Sequence, residues 1–206
     1  MIDAKTWAAF WQELGAPDGA PELHRQLVKC WSEKHRHYHT LQHLRECFER
    51  FEELRGDAKS PPQIAVALWF HDAIYDPKRD DNEDRSAEWA RRAAIDAGMA
   101  EATAERLHEL VLATKHETMP DDPDTRLLVD IDLSILGADT VRFDESDLQI
   151  RREYAYVPEP EWKIARKKML HGFLDRPRLF GTDRYYAERE ARARENLQRA
   201  LERLGT

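Results

Sequence analysis

Cysteine is nearly absent from this sequence: Cys30 and Cys47 are the only two, and no CxxC or zinc-type spacing joins them. That excludes a disulfide-built fold and a cysteine-rich zinc module, and points to a reduced, cytoplasmic compartment. No apolar run approaches the roughly 20 residues that a membrane-spanning helix needs. Residues 1–6 lack the charged-then-apolar pattern of a signal peptide, so no membrane partner is expected. Basic charge is also in deficit, with 32 Lys and Arg against 40 Asp and Glu and a formal charge of −8. A nucleic-acid coat needs a basic face, so nucleic acid is not an expected partner, while a local basic pocket for a small anion stays open. Period-2 strand patterns, internal repeats and low-complexity linkers are missing as well.

What is present is helical almost throughout. At 206 residues, with 41% hydrophobic and 35% charged residues, the chain suits one domain with a sizeable core and a highly charged surface. Trp7, Phe10, Trp11 and Leu14 follow the i, i+3, i+4, i+7 rule, and Gly15 ends that helix. Pro21 opens a second helix with Leu23, Leu27 and Trp31 inward, and Leu41, Leu44, Phe48 and Phe51 continue as a third face. Ser60-Pro61-Pro62-Gln63 reads as a capped helix start leading to His71 and Asp72. Further helices run from Asn82 to Gly98, to about Lys115, from Pro123 to Gly137, and from Asp139 to about Tyr154. A ninth carries Trp162, Ala165, Met169 and Phe173 inward, and a long charged tail presents Tyr186, Leu197 and Leu201. The expectation is an all-α, single-domain helical bundle over residues 1–206. The amphipathic tail can pack on its own core or on a second copy of the chain, which leaves a homo-oligomer open.

The chemistry gathers around Trp69-Phe70-His71-Asp72-Ala73-Ile74-Tyr75-Asp76. An imidazole and a carboxylate in such apolar company cost several kcal/mol unless each finds a partner. A divalent metal suits both, and Zn, Mn, Fe, Co, Ni and Mg all remain candidates. The bland alternative is a helix end whose Asp pairs with an Arg. His39 and His43, at i and i+4, are expected to share a helix face. Asp130 and Asp132 lie in an apolar helix, two residues and roughly 200° apart, so only one can face a metal and the other should meet solvent or an Arg.

The order His…His-Asp…Asp on successive helices resembles the HD-domain superfamily of metal-dependent phosphohydrolases. Tyr38-His39-Thr40-Leu41-Gln42-His43 and Asp132-Leu133-Ser134 are similar to elements of its cyclic-nucleotide phosphodiesterase branch. A little-characterised bacterial group of predicted phosphohydrolases is nearer still. Its marks are Arg36-x-Tyr38-His39-Thr40, Trp69-Phe70-His71-Asp72 with Tyr75-Asp76, Asn82-Glu83, Ser86-Ala87, Arg152-x-Tyr154 and Arg178-Leu179-Phe180-Gly181-Thr182. The resemblance implies an HD-type helical domain with a metal-site core over about residues 36–136 and C-terminal helices over 140–204 packed on it. It implies His43, His71, Asp72 and Asp132 as metal ligands and His39 as the acid that protonates a leaving oxygen. Thr40 stands where the phosphodiesterases have Asn, and their second His after the His-Asp pair is missing. Similarity of the stretch from His71 to Asp76 to alarmone hydrolases gives Asp76 a role in orienting or deprotonating water.

The implied activity is metal-assisted hydrolysis of a nucleotide or another small phosphorylated metabolite. The competing reading is a metal- or nucleotide-binding sensor that keeps the fold without turnover. Arg36, Lys115 and Arg152 are candidate phosphate clamps, and His116 a candidate ligand or phosphate contact. Their bland readings are surface cations and a helix-end His. For Asp76 the bland reading is a partner of Lys78 or Arg79, and for His39 a packing His beside His43. His24, His35, His37, His108 and His171 read as solvated or locally bonded.

Overall fold

Proline, glycine and capping side chains divide the chain into ten α-helices in the computed structural model, which describes residues 2–205. They are α1 (Ala4–Glu13), α2 (Pro21–Cys30), α3 (Leu41–Leu54), α4 (Pro61–Phe70) and α5 (Asn82–Asp96). The second half adds α6 (Glu101–Leu112), α7 (Pro123–Asp132), α8 (Thr140–Glu153), α9 (Glu159–Leu174) and α10 (Asp183–Arg203). No strand forms among the described residues, so the fold is all-α. No helix among them is long and apolar enough to cross a membrane.

The boundaries follow local chemistry. Asp3, Thr40, Asp122, Asp139 and Thr182 each accept a backbone N–H from the first turn of the helix they precede. Proline occupies the first turn of α2, α4, α7 and α9. Gly98, at φ 78°, terminates the α5 run in the left-handed region that glycine adopts without steric cost. Ser60 does not cap α4 with its hydroxyl. The buried Asp124 of α7 does the work from a distance, accepting the Lys59 and Ser60 N–H groups at 2.8 Å each.

Every residue from 64 to 70 of α4 is buried, the mark of a helix enclosed on all sides. It packs against α1, α3, α5, α6 and α7. One continuous apolar core surrounds it, with Trp7, Trp11, Trp31, Phe48, Phe51 and Trp69 at its centre. α10 lies against α8, α9 and the 3-10 turn Leu133–Gly137, so the charged tail packs on its own core.

Four sequence readings need correction. α3 begins at Leu41, so His39 sits in the turn before the helix and not on its face. The inward residues of α9 are Trp162, Arg166 and Leu170, whereas Met169 is 40% exposed. In α10 Tyr185 is buried and Tyr186 faces out, stacked under the Arg178 guanidinium. His24 is buried between Trp7 and Trp69, where desolvation lowers its pKa. In α9 and α10 the apolar period was right, but the phase was set by packing that local sequence does not encode.

Candidate metal centre

Three helices that pack mutually, α3, α4 and α7, bring the chemistry-bearing side chains to one point. Thr40 starts α3 so that His43 falls in its first turn. His71 closes α4, its backbone N–H still bonded to the Ala67 carbonyl, and Asp72 follows at once. Asp132 is the last residue of α7.

The His71 Nδ1–H donates to the Leu68 carbonyl at 2.8 Å, which turns its Nε2 toward the other groups. Around that nitrogen lie His43 Nε2 at 3.1 Å, Asp72 Oδ2 at 3.1 Å and Asp132 Oδ1 at 3.5 Å. His43 Nε2 is 3.2 Å from Asp132 Oδ1 and 3.8 Å from Asp72 Oδ2. Ligand atoms about 2.1 Å from a shared cation would stand roughly 3.0–3.5 Å apart, so these spacings suit a common metal. One turn along α3 from His43, the Cys47 thiol lies 3.7 Å from His43 Nε2. His43, Cys47, His71 and Asp132 together present ligand atoms within 4.8 Å of one another, a buried group able to hold a metal ion. Cys47 is therefore a member that sequence reasoning missed, although its signal, a Cys four residues after His43 on one helix, was visible.

The electrostatics favour a cation at this point. Burial alone would raise the carboxyl pKa of Asp72 and Asp132, but the neighbouring His71 charge holds both below the ordinary carboxylate range. Burial also opposes charge on His71, yet Asp72 and Asp132 raise its pKa well above that of a free imidazole. Two mostly buried carboxylates thus demand positive charge, from protons or from a metal. The Cys47 thiol is pushed well up by burial and by Asp132, so it stays protonated unless a metal displaces its proton.

Beside this cluster stands His39. Glu153, the last residue of α8 and buried, accepts from its ring Nδ1 at 2.7 Å. The other Glu153 oxygen accepts the backbone N–H groups of His37, Tyr38 and His39 at 2.7, 2.8 and 3.0 Å. Tyr75 completes the set, donating its hydroxyl to Glu153 Oε2 at 2.8 Å and packing its ring 4.2 Å from that of His39. Burial would raise Glu153, but the His39 hydrogen bond and charge and the backbone donors pull it down to about 2. Burial likewise opposes His39 protonation; the Asp72 charge and the Glu153 bond prevail and raise its pKa. Glu153 was missed in favour of its exposed neighbour Arg152, because a single acid at a helix end carries no sequence signal.

The remaining candidates are placed as follows. His116, in left-handed backbone at φ 57°, brings its Nε2 within 2.8 Å of Asp132 Oδ2, and its own carbonyl accepts from Arg176. It orients the carboxylate from behind. Such strain in a non-glycine residue clusters at functional sites. Arg36 is buried and its guanidinium is spent on Glu33 and on the carbonyls of His39, Asp72 and Ala73. It pins the loop after His71 and offers no free fork to a phosphate, which corrects its reading as a clamp. Lys115 pairs with both Asp84 oxygens, at 2.7 and 2.8 Å, and is not among the clustered groups. Asp76 accepts the Lys78 N–H at 3.0 Å, and its backbone is clasped by Asn82, so it shapes the polar turn. Asp130 meets neither solvent nor an Arg: fully buried, it accepts from the Gly181 and Thr182 N–H groups and the Thr182 hydroxyl.

The chain was compared with protein families, curated proteins and solved structures, and it matches none of them.

Proposed function

We propose that this is a metal-dependent phosphohydrolase of the HD type, acting on a small phosphorylated metabolite. The observation that carries the reading is the pairing of two things: a buried His-His-Asp convergence with Asp72 and Cys47 at its edge, and a Glu153-held imidazole beside it. The donor set fits a divalent ion, because the Nδ1–H bond to Leu68 aims His71 Nε2 at the centre, where a metal would displace its proton, and Asp132 is braced by His116. His43, His71, Asp132 and Asp72 would hold the ion, with Cys47 favouring the softer metals. When bound, the ion supplies Lewis acidity, neutralising phosphoryl oxygen charge and lowering the pKa of water.

The chain's own groups do the rest. Glu153 stays ionised, fixes the His39 ring and keeps it protonated, so that His39 can give a proton to the leaving oxygen. The Asp72 charge adds to that preference. Arg36 holds the backbone that presents Asp72. A pure sensor has no evident use for the His39–Glu153 pair, which favours turnover over binding alone.

The test is elemental analysis of protein purified without chelator, joined to a phosphatase screen with Mn, Co, Ni, Fe, Zn or Mg over nucleotides and sugar phosphates. About one bound metal, with turnover abolished in Asp132→Ala and strongly reduced in His39→Ala, is the expected result. Metal without turnover on any phosphate would favour the sensor instead, and failure to take up metal would overturn the reading.

A further inference from the structure

A cleft of about 370 Å³ opens directly beside His43, Cys47 and Asp132, between α3, α8, α10 and the turn that follows α7. Its volume is within the range of small-molecule sites, roughly 300–1,000 Å³. Four arginines line it, Arg50, Arg142, Arg189 and Arg192, together with Glu46, Glu49, Asp132 and Asp139, so the pairing of each arginine decides which can meet an anion. Two are already committed: Arg142 forks onto Glu46 at 2.7 and 3.0 Å, and Arg50 pairs with Glu53. The other two are less so: Arg189 pairs weakly with Glu53 and lies 4.7 Å over the Tyr185 ring. Arg189 has a buried Nε with no hydrogen-bond partner and only a 3.4 Å contact from Nη2 to Glu53. Arg192 reaches only the Gly137 carbonyl, at 3.5 Å. A buried, unpaired guanidinium nitrogen is costly and calls for an acceptor.

Their position is built in. A Cβ at Gly137 would stand 2.8 Å from the Arg189 Cβ, so only glycine lets α10 approach this closely. That approach sets Arg189 and Arg192, three residues apart on one helix face, into the cleft that ends at Asp132. No Phe, Tyr or Trp lines the cleft, so it offers a nucleobase no large aromatic platform, while its guanidinium groups suit an anion.

We propose that the cleft binds a second anionic group of the substrate, with Arg189 and Arg192 as its specificity-determining residues. The substrate class is then a small polar bisphosphate or phosphorylated acid, one phosphate at the metal centre and the other anion at the arginines. This rests on the phosphohydrolase reading and narrows it.

The test is calorimetric binding of fructose 1,6-bisphosphate and of fructose 6-phosphate, with phosphoglycerate as the carboxylate arm, on metal-loaded and chelator-stripped protein whose metal content is measured. The wild type should bind the bisphosphate at least tenfold more tightly than the monophosphate. Arg192→Gln, which disturbs no buried contact, should shrink that ratio severalfold, and Arg189→Gln with it should bring the ratio close to one. A ratio near one in folded wild type overturns the proposal even where metal is bound. So does a preference that survives the double variant. An arginine-dependent preference in protein that holds no metal supports the cleft and defeats the metal reading alone. Preference for phosphoglycerate over the bisphosphate would identify the second anion as a carboxylate.

Discussion

Glu153 is the most heavily used single side chain near the centre, with five acceptances across its two oxygens. Its pKa falls from an ordinary 4.5 to about 2 on folding, so the stability it contributes is fully present above pH 4.5 and lost as pH falls toward 2. The shift corresponds to about 3 kcal/mol for this buried group. Glu153→Gln should therefore be less stable than wild type at pH 7 by up to about that amount. Its denaturant midpoint should also vary less than the wild type's between pH 4.5 and 2. Equal pH dependence of the two proteins would refute this. At the candidate metal centre, Asp132→Ala removes an atom that faces both imidazoles, and the proposed metal content should fall at least tenfold by elemental analysis. That one of Asp130 and Asp132 should turn to a partner was legible because a charged group in an apolar helix must be accounted for; the choice of Asp132, and of His43 and His71 beside it, came from the resemblance of their motifs. Cys47 was legible only as a Cys one turn after His43, easily taken for a small core residue, and Glu153 looked like a surface acid. Only tertiary contact distinguishes them.

At the scale of elements, the helices themselves were plain from periodicity, proline and glycine; Asp122 and Asp139 start their helices as read, Ser60 does not cap, and the caps Asp3, Thr40 and Thr182 were not foreseen. Their phases were less so. α9 and α10 carry long aliphatic and aromatic side chains on more than one face, and the choice between Tyr185 and Tyr186 depends on α10 docking against the turn at Gly137. That docking makes Gly137→Ala informative. The added methyl meets the Arg189 Cβ and, at 3.1 Å, its carbonyl, both on a rigid helix. Overpacking of this kind costs about 1–3 kcal/mol. The variant should unfold at lower urea while keeping its helical circular dichroism. Asp124→Ala should act in the same direction by leaving two N–H groups at the start of α4 unpaired, at about 1–3 kcal/mol.

Over the whole molecule, the centre ties together segments as far apart as His43 and Asp132, each from a helix that packs on the buried α4. A ligand that binds the native state alone stabilises it by about 2.7 kcal/mol at one hundred times its dissociation constant. For a chain of this size each kcal/mol moves Tm by about 2–4 °C. Chelator treatment should thus lower Tm by about 5–10 °C, and readdition of one equivalent of metal should restore it. An unchanged Tm on stripping would argue that the two imidazoles satisfy the carboxylates by protonation instead.

The tryptophan nearest the centre has an optical consequence. Trp31 donates its indole N–H to the Trp69 carbonyl at 3.0 Å and rests 5.2 Å from the His71 ring, 6.2 Å from that of His43. Both its dipole and its distance from the two imidazoles are fixed by burial. A paramagnetic ion such as Co or Ni seated between those imidazoles would lie close enough to quench its emission, whereas Zn would leave it bright. The fold carries its own fluorescent indicator, able to report occupancy and metal identity in a cuvette before any substrate is known.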